Sequence, residues 1–133
     1  MIRTLNISTA GQGLVLITGE VEAVVRESGV PEGLCTIMVR HTSASLTIQE
    51  NADPSARRDL ERWFNRLVAE DDPLYTHTAE GPDDMPAHIK AALTATTLSI
   101  PILDGVLALG TWQGIFLWEH RHRSQSRQLV VHV

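Results

Sequence analysis

Short segments in which apolar and polar residues alternate dominate this sequence. In residues 34–41, Cys35, Ile37 and Val39 form an apolar row. Residues 115–120 carry large apolar side chains in both alternating sets. Successive side chains of a β-strand point to opposite faces, so this spacing predicts strands. A strand that is apolar on both faces needs a cover on each, which helices or another subunit can supply.

One long amphipathic helix is predicted to begin at Pro54. Asp53 is a suitable N-cap, and proline suits the first helical position because its missing N–H is not needed there. An apolar stripe follows, in which we expect Trp63 and Phe64 to be core anchors. A shorter helix is predicted over residues 18–29, where a glycine ends it.

Three local signals predict how the strands connect. Residues 2–9 and 14–18 flank a glycine-rich turn, so the chain is expected to open with a hairpin. Pro101 cannot donate to a strand ladder, which favours an edge strand. Asp104-Gly105 favours a tight hairpin turn. Together the pattern indicates roughly eight strands and three helices, in an α+β fold that is mostly an antiparallel β-sandwich and forms a single domain over residues 1–133.

Composition and charge exclude several classes of protein. The net charge of −5 argues against a sequence-independent nucleic-acid binder, which needs a basic face. No apolar run approaches the ~20 residues that span a bilayer, so we expect no membrane partner. The first residues lack the features of a secretory signal, and the single cysteine, Cys35, cannot form an internal disulfide. A cytoplasmic location is therefore expected.

The segment over residues 75–88 holds the strongest group of candidate functional side chains. Its members are His77, Glu80, Asp84 and His88. Imidazoles and carboxylates together suit a divalent cation, or a proton-transfer pair near neutral pH. Asp83 or Asp84 is expected to cap a short helix that carries His88 in about its first turn. The alternative is a solvated loop followed by a helix cap.

His41 supplies a third imidazole at the end of a predicted strand. We expect His41, His77 and His88 to converge on one divalent cation, zinc or magnesium. Glu50 or Glu80 is expected alongside them. In the rival interpretation the same histidines carry protons and hold phosphate or sulfate.

Three further patterns have both a chemical and a structural interpretation. Ser43 and Ser45 follow His41 and could form a nucleophile with its base, but no glycine-bracketed elbow accompanies them, so bonds to the turn backbone are favoured. Trp112-Gln113 could stack on an aromatic ligand or fill the core at a strand kink. The basic residues between positions 120 and 127 suit either phosphate or solvent.

Four motifs in the chain closely resemble the YjbQ family, whose members are also labelled secondary thiamine-phosphate synthases. The motifs are His41-Thr-Ser-Ala-Ser45, Glu50-Asn-Ala-Asp-Pro54, the segment from His77 to Lys90, and Leu109-Gly-Thr-Trp-Gln-Gly-Ile115. They occur in the family's order, from about residue 35 to the C-terminus. Residues 1–34 match only in length and pattern.

The resemblance implies a compact α+β homotrimer with sites near the subunit boundaries, which takes small phosphorylated molecules. It implies a weak thiamine-phosphate synthase activity, which joins a pyrimidine methyl diphosphate to a thiazole phosphate and releases pyrophosphate. The motif positions carried over as catalytic candidates are Glu50, Asn51, Glu80, Trp112, Gln113 and Glu119. Those carried over for a metal or a bound ligand are His41, His77, His88 and Ser43, and Ser45 lies in the same motif. One departure is the segment after Glu119, which lacks the family's usual Gly-Pro-Arg.

Three functions are consistent with these observations. The first is a transferase of the thiamine-phosphate synthase type, although no glycine-rich diphosphate cradle with a lysine is present. The second is a metal- or metabolite-binding trimeric module without substantial catalysis. The third is a scaffold trimer in which the same residues brace the subunit interface. Metal-dependent turnover separates the first function from the second.

Overall fold

The computed structural model describes all 133 residues and contains eight strands and three helices. The strands are β1 (Ile2–Ser8), β2 (Gly13–Leu16), β3 (Gly33–Val39), β4 (Ala44–Glu50), β5 (Thr97–Leu103), β6 (Val106–Leu107), β7 (Gln113–Glu119) and β8 (Ser126–His132). The helices are α1 (Thr18–Ser28), α2 (Pro54–Leu67) and α3 (Asp84–Leu93). No helix is both long enough and apolar enough to cross a bilayer.

The strands form two antiparallel sheets, which confirms the predicted α+β fold. The larger sheet has the order β1-β8-β3-β5-β6, and the smaller has the order β2-β7-β4. The main core contains side chains of both sheets and of α1. A second, smaller core joins β7 to α2 through Phe64, Phe116 and Trp118. The strand β7 is thus buried on both faces, as its sequence predicts.

The predicted N-terminal hairpin is wrong. Ile2 pairs with His132 in the larger sheet, whereas Gly13 pairs with Glu119 in the smaller one. The glycine-rich connection therefore carries the chain from one sheet to the other. Each of the two strands finds its partner near the C-terminus, and local spacing cannot reveal such distant pairing.

The prediction that Pro101 marks an edge strand is also wrong. β5 lies between β3 and the two-residue strand β6. The Pro101 carbonyl accepts a hydrogen bond from Ala108 N at 2.8 Å, on the β6 side. The N–H and C=O of one residue in an antiparallel strand point to the same side, so the donor that proline lacks also faces β6. The ladder with β3 consequently stays intact.

Helix α2 begins as predicted but is rotated relative to the predicted core face. Asp53 Oδ1 accepts a hydrogen bond from Ser55 N at 2.9 Å, and Pro54 is the first helical residue. Phe64 is only 5% exposed, whereas Trp63 is 54% exposed, so Trp63 is not a core anchor. Residues spaced by four, Leu60, Phe64 and Val68, face the second core. Trp63 lies about 100° around the helix from Phe64, and the two rings are stacked with their centroids 6.5 Å apart.

The outer face of the larger sheet has no helix packed on it. Leu34 and Met38 on β3 are 52% and 50% exposed, and Ile2 and Leu103 on other strands are also exposed. The opposite face of β3 is fully buried in the main core. No other element of the chain covers the apolar side chains on this face.

Candidate functional site

The start of α3 and the loop before it bring His77, Asp84 and His88 together. Asp84 Oδ2 lies 2.7 Å from His77 Nε2 and 3.2 Å from His88 Nε2. One ligand atom from each of the three residues falls within 4.8 Å of the others. The spacing of four residues places Asp84 and His88 on the same face of α3, with His88 in the second helical turn rather than the first.

The hydrogen bonds of His88 fix the arrangement of protons on its ring. Its Nδ1 lies 3.1 Å from the carbonyl oxygen of Thr42, which can only accept, so Nδ1 carries a hydrogen. Its Nε2 faces the Asp84 carboxylate, another acceptor. In the neutral ring, two lone pairs would therefore oppose each other across 3.2 Å. Either a second proton or a cation is required between them.

Arg121 holds the other side of the Asp84 carboxylate. Its Nη1 donates to Asp84 Oδ1 at 2.6 Å, and its Nε donates to Asp83 Oδ2 at 3.0 Å. A third bond, from Nη2 to the Glu80 carbonyl at 2.8 Å, ties the loop to the same guanidinium. This leaves Oδ2 of Asp84 free for the histidines. The sequence indicated Arg121 only as part of a basic segment that suits phosphate or solvent, because its carboxylate partners lie almost forty positions away.

The carboxylates at the start of α3 do not act as the predicted helix cap. Asp83 occupies the N-cap position, but its side chain caps no helical N–H and instead accepts from Arg121 and from the backbone N of His122.

Burial alone would raise the pKa of Asp84. The bond from His77 and the charges of His88 and Arg121 outweigh burial and hold that pKa below its usual range.

His41 is not one of the three clustered residues. It lies two positions beyond the end of β3, and its Nε2 accepts a hydrogen bond from Gln128 N at 2.7 Å. That nitrogen is therefore committed to the β8 backbone. Glu80, a further candidate, contributes its backbone carbonyl to Arg121. A part for either side chain in metal binding stays a prediction.

The two serines of the first motif bond to side chains of other elements rather than to the turn. Ser45 Oγ lies 2.8 Å from His120 Nε2, and both residues are buried. Ser43 Oγ accepts from Arg127 Nη2 at 2.9 Å. Burial, with smaller effects of Lys90 and Arg127, lowers the pKa of His120 to about 3, so this ring is neutral near pH 7.

The basic segment after β7 is largely neutralised inside the protein. Arg127 pairs with Glu119, and both side chains are buried. Arg121 pairs with Asp83 and Asp84, and His122 with Glu70. Of this group only Arg123 is exposed without a bonded partner, so the segment offers much less positive charge to a phosphate than its composition indicates.

The remaining candidates lie at the opposite end of the β4–β7 pair. The register pairs Ala44 with Glu119 at one end and Glu50 with Gln113 at the other. Six residues of strand separate the two ends by roughly 20 Å. Asn51 N donates to the Trp112 carbonyl at 2.8 Å, and the Trp112 side chain is 64% exposed rather than in the core. One chain therefore does not bring all of the predicted residues into one site.

Lys90 is a buried charged residue to which sequence analysis assigned no role. It is the only lysine in the chain and is 3% exposed. Its Nζ donates to Asn65 Oδ1 at 2.6 Å. Burial lowers the pKa of Lys90, and the more distant carboxylates of Glu70 and Asp83 oppose that shift.

Comparisons with known proteins agree on one family. Residues 3–133 match the family described as UPF0047 protein YjbQ-like. The UPF0047 protein sll1880 of Synechocystis is 57% identical over 129 residues, which cover 97% of this chain and 88% of that protein. The UPF0047 protein YjbQ of Escherichia coli O157:H7 is 43% identical, with 96% of this chain and 93% of that protein covered.

Solved structures show the same fold. The conserved hypothetical protein TT1486 of Thermus thermophilus superposes with a TM-score of 0.88 at 36% identity, over 98% of each chain. An uncharacterised YjbQ/UPF0047 protein of Clostridium acetobutylicum superposes with a TM-score of 0.86 at 36% identity, over 99% of this chain and 98% of that one. A YbjQ-like protein of Sulfolobus solfataricus, which also superposes closely, is described as having unknown function. With its motifs, its fold and its relatives in agreement, this chain belongs to the YjbQ (UPF0047) family.

Proposed function

We propose that the protein binds a divalent cation through His77, Asp84 and His88. The observation that carries the proposal is His88, which lies between two acceptors, the Thr42 carbonyl and the Asp84 carboxylate. A cation bound to Nε2 removes the repulsion between the two lone pairs without a second proton on the ring. Two imidazoles and one carboxylate favour zinc over magnesium, which prefers oxygen ligands.

The surroundings of the three residues also suit a cation. The Thr42 carbonyl holds the tautomer of His88 that leaves Nε2 available, and Arg121 holds Asp84 in place. Partners of this kind, behind the ligands, orient the ligands of metal sites. The His77 side chain is half exposed, so a fourth position would be accessible to water or to an anion. In that position zinc would supply an activated water or a counter-charge for phosphate.

A small phosphorylated molecule is the ligand class that we propose for this site. A groove of about 650 Å³ runs past Gly81, Arg121 and Arg123, next to the buried carboxylates. Arg123 is the exposed cation in this groove, and a bound divalent cation would add charge beside it. The added charge is needed to bind a phosphate, because the charge of Arg121 is already balanced by two aspartates.

The finer proposal is a transferase of the thiamine-phosphate synthase type. Its support is the exposed indole of Trp112, next to Glu50 and Gln113, which suits stacking on a pyrimidine. This group and the histidine group lie at opposite ends of one strand pair, so we propose that they meet across a subunit boundary in a homotrimer. The alternative is a trimeric module that binds a metal or a metabolite without substantial catalysis.

A buried free thiol at Cys35 supports a reducing, cytoplasmic setting for either function.

Zinc titration of metal-free protein tests the cation site. We expect one zinc per chain in the wild type and loss of binding in a His77→Ala/His88→Ala double variant. His132→Ala, which alters an exposed histidine on β8, is the matched control and should bind as the wild type does. Stoichiometry well below one per chain, or unchanged binding in the double variant, would refute the site. Product formation from the pyrimidine diphosphate and the thiazole phosphate, with and without zinc, then separates the transferase from the binding module.

A further inference from the structure

Lys90 is the one buried charged side chain that forms no ion pair. The other buried charged residues are Asp83, Asp84, Glu119 and Arg127. Each of these four is paired, with Arg121 or with one another. The carboxylates that act on Lys90 from a distance, Glu70 and Asp83, are themselves engaged by His122 and Arg121. A buried ammonium without a counter-charge is costly, so the position of Lys90 calls for an explanation.

A small cavity lies beside the Lys90 side chain. Its volume is about 50 Å³, and its lining includes Gln12, Glu61, Asn65, Lys90, Trp118 and His120. At roughly 10–15 Å³ for each water-sized occupant, it has room for about three to five non-hydrogen atoms. The mouth lies between β2 and α2, where Asn65 is exposed. The cavity is therefore too small for a nucleotide or a sugar but large enough for a group of acetate size.

Hydrogen-bond donors without protein partners border this cavity. Lys90 uses one of its three N–H groups, for Asn65 Oδ1. The indole N–H of Trp118 and the amide NH₂ of Asn65 make no hydrogen bond within the protein, although Trp118 is only 9% exposed. No fully enclosed polar side-chain atom lacks a partner, so the Trp118 nitrogen is accessible, and Trp118 is one of the residues that line the cavity.

From these contacts we infer a second ligand site, distinct from the histidine cluster, in which Lys90, Asn65 and Trp118 bind a small carboxylate anion. The carboxylate supplies the counter-charge that Lys90 lacks, and its two oxygens can accept from several donors at once. The nearby Glu119 does not oppose this, because Arg127 already balances its charge. Glu61, which also lines the cavity, accepts a hydrogen bond from Leu14 N at 2.8 Å and makes none with Lys90. The size of the cavity limits the ligand to about acetate or formate.

Because Lys90 is the only lysine, selective isotope labelling gives one side-chain signal to follow. Protein labelled with ¹³C-lysine is titrated with sodium acetate, and sodium chloride at matched ionic strength is the reference. We expect a saturable shift of the Lys90 Cε signal with acetate and none with chloride. Benzoate, which exceeds the cavity, should cause no saturable shift.

Asn65→Asp provides the sharpest variant. It places a carboxylate 2.6 Å from Nζ at nearly unchanged volume, so it supplies the counter-charge internally. Acetate affinity should fall at least about tenfold, as expected when a charge-assisted hydrogen bond is lost. Arg26→Gln, which alters an exposed cation on α1 outside the cavity, should leave the acetate response unchanged. An acetate response no larger than that of chloride, or a full response in Asn65→Asp, would overturn the inference.

Discussion

Arg127 Nε donates to Glu119 Oε1 at 2.8 Å, and this buried pair connects the two sheets. Glu119 ends β7 in the smaller sheet, and Arg127 lies in β8 of the larger one. Thr9 Oγ1 donates to the same carboxylate oxygen at 2.7 Å. Thr9, Glu119 and Arg127, from three segments of the chain, thus meet in one buried polar cluster between the sheets.

Replacing Glu119 by glutamine should strongly destabilise the fold. The substitution leaves the Arg127 guanidinium buried without a counter-charge, so we expect the free energy of unfolding to fall by about 3–5 kcal/mol. Chemical denaturation measures this loss. Glu32→Gln, at an exposed carboxylate that makes no ion pair, should change it by less than about 0.5 kcal/mol. Equal stability of the two variants would show that the pair does not hold the sheets together.

Adjacent aromatic residues on α2 should differ in their contribution to stability. Phe64→Ala empties the second core and should cost about 3–5 kcal/mol in the free energy of unfolding. Trp63→Ala removes a side chain that is 54% exposed and should cost no more than about 1 kcal/mol. The comparison is made by urea denaturation of both variants. Comparable losses of stability would show that Trp63 contributes to the core, as the sequence predicted.

Local signals in the sequence predicted the elements well because their causes are local. Asp53 and Pro54 start α2 through bonds within one turn, and Asp104 and Gly105 adopt positive φ angles of 50° and 79° in the predicted tight turn. The alternation in β7 predicted its two buried faces. Strand pairing was mispredicted at the N-terminus, because β1 and β2 pair with strands one hundred or more positions away.

The candidate site was only partly predictable for the same reason. His77 and His88 come from one motif. Asp84 and His88 are four positions apart on α3, and this local signal indicates Asp84, rather than Glu80, as the partner of the two histidines. The role of Arg121 depends on contacts of the segment after β7 with the start of α3 and with the loop before it. Sequence spacing could not predict the separation of Trp112 from the histidines, since it follows from the register of β4 with β7.

The buried neutral ring of His120 should make stability depend on pH. Its folded-state pKa is about 3, whereas an unfolded histidine titrates near ~6.5. Between these values the unfolded chain binds one more proton than the folded chain, so stability falls as the pH is lowered from about 6 to about 4. The expected contribution is about 1.4 kcal/mol per pH unit. Unfolding free energies of wild type and His120→Gln across this range give the difference in slope, and parallel curves would contradict the assignment.

The exposed apolar face of the larger sheet should be covered in solution. We expect a homotrimer, with one species near three times 14.7 kDa in sedimentation at micromolar concentration. Met38→Glu places a charge at a half-exposed position on that face and should shift the distribution towards monomer if this is the interface. A stable wild-type monomer would defeat the prediction. A trimer unaffected by Met38→Glu would move the interface elsewhere.

The pH dependence of ligand binding decides between the two interpretations of the histidine cluster. Zinc and protons compete for the same imidazole nitrogens of His77 and His88, so zinc affinity should be lower near pH 5.5 than near pH 7.5. If the cluster is instead an anion site, a second proton on the His88 ring, opposite Asp84, makes the ring a cation. Phosphate binding should then tighten as the pH is lowered from 7.5 to 5.5. Titrating wild-type protein with zinc and with phosphate at both pH values distinguishes these outcomes.

Asp84→Asn sharpens the result, because it removes the negative charge that attracts a cation and repels an anion. The variant should lose zinc binding if the metal site is real, and it should gain phosphate affinity if the cluster binds an anion.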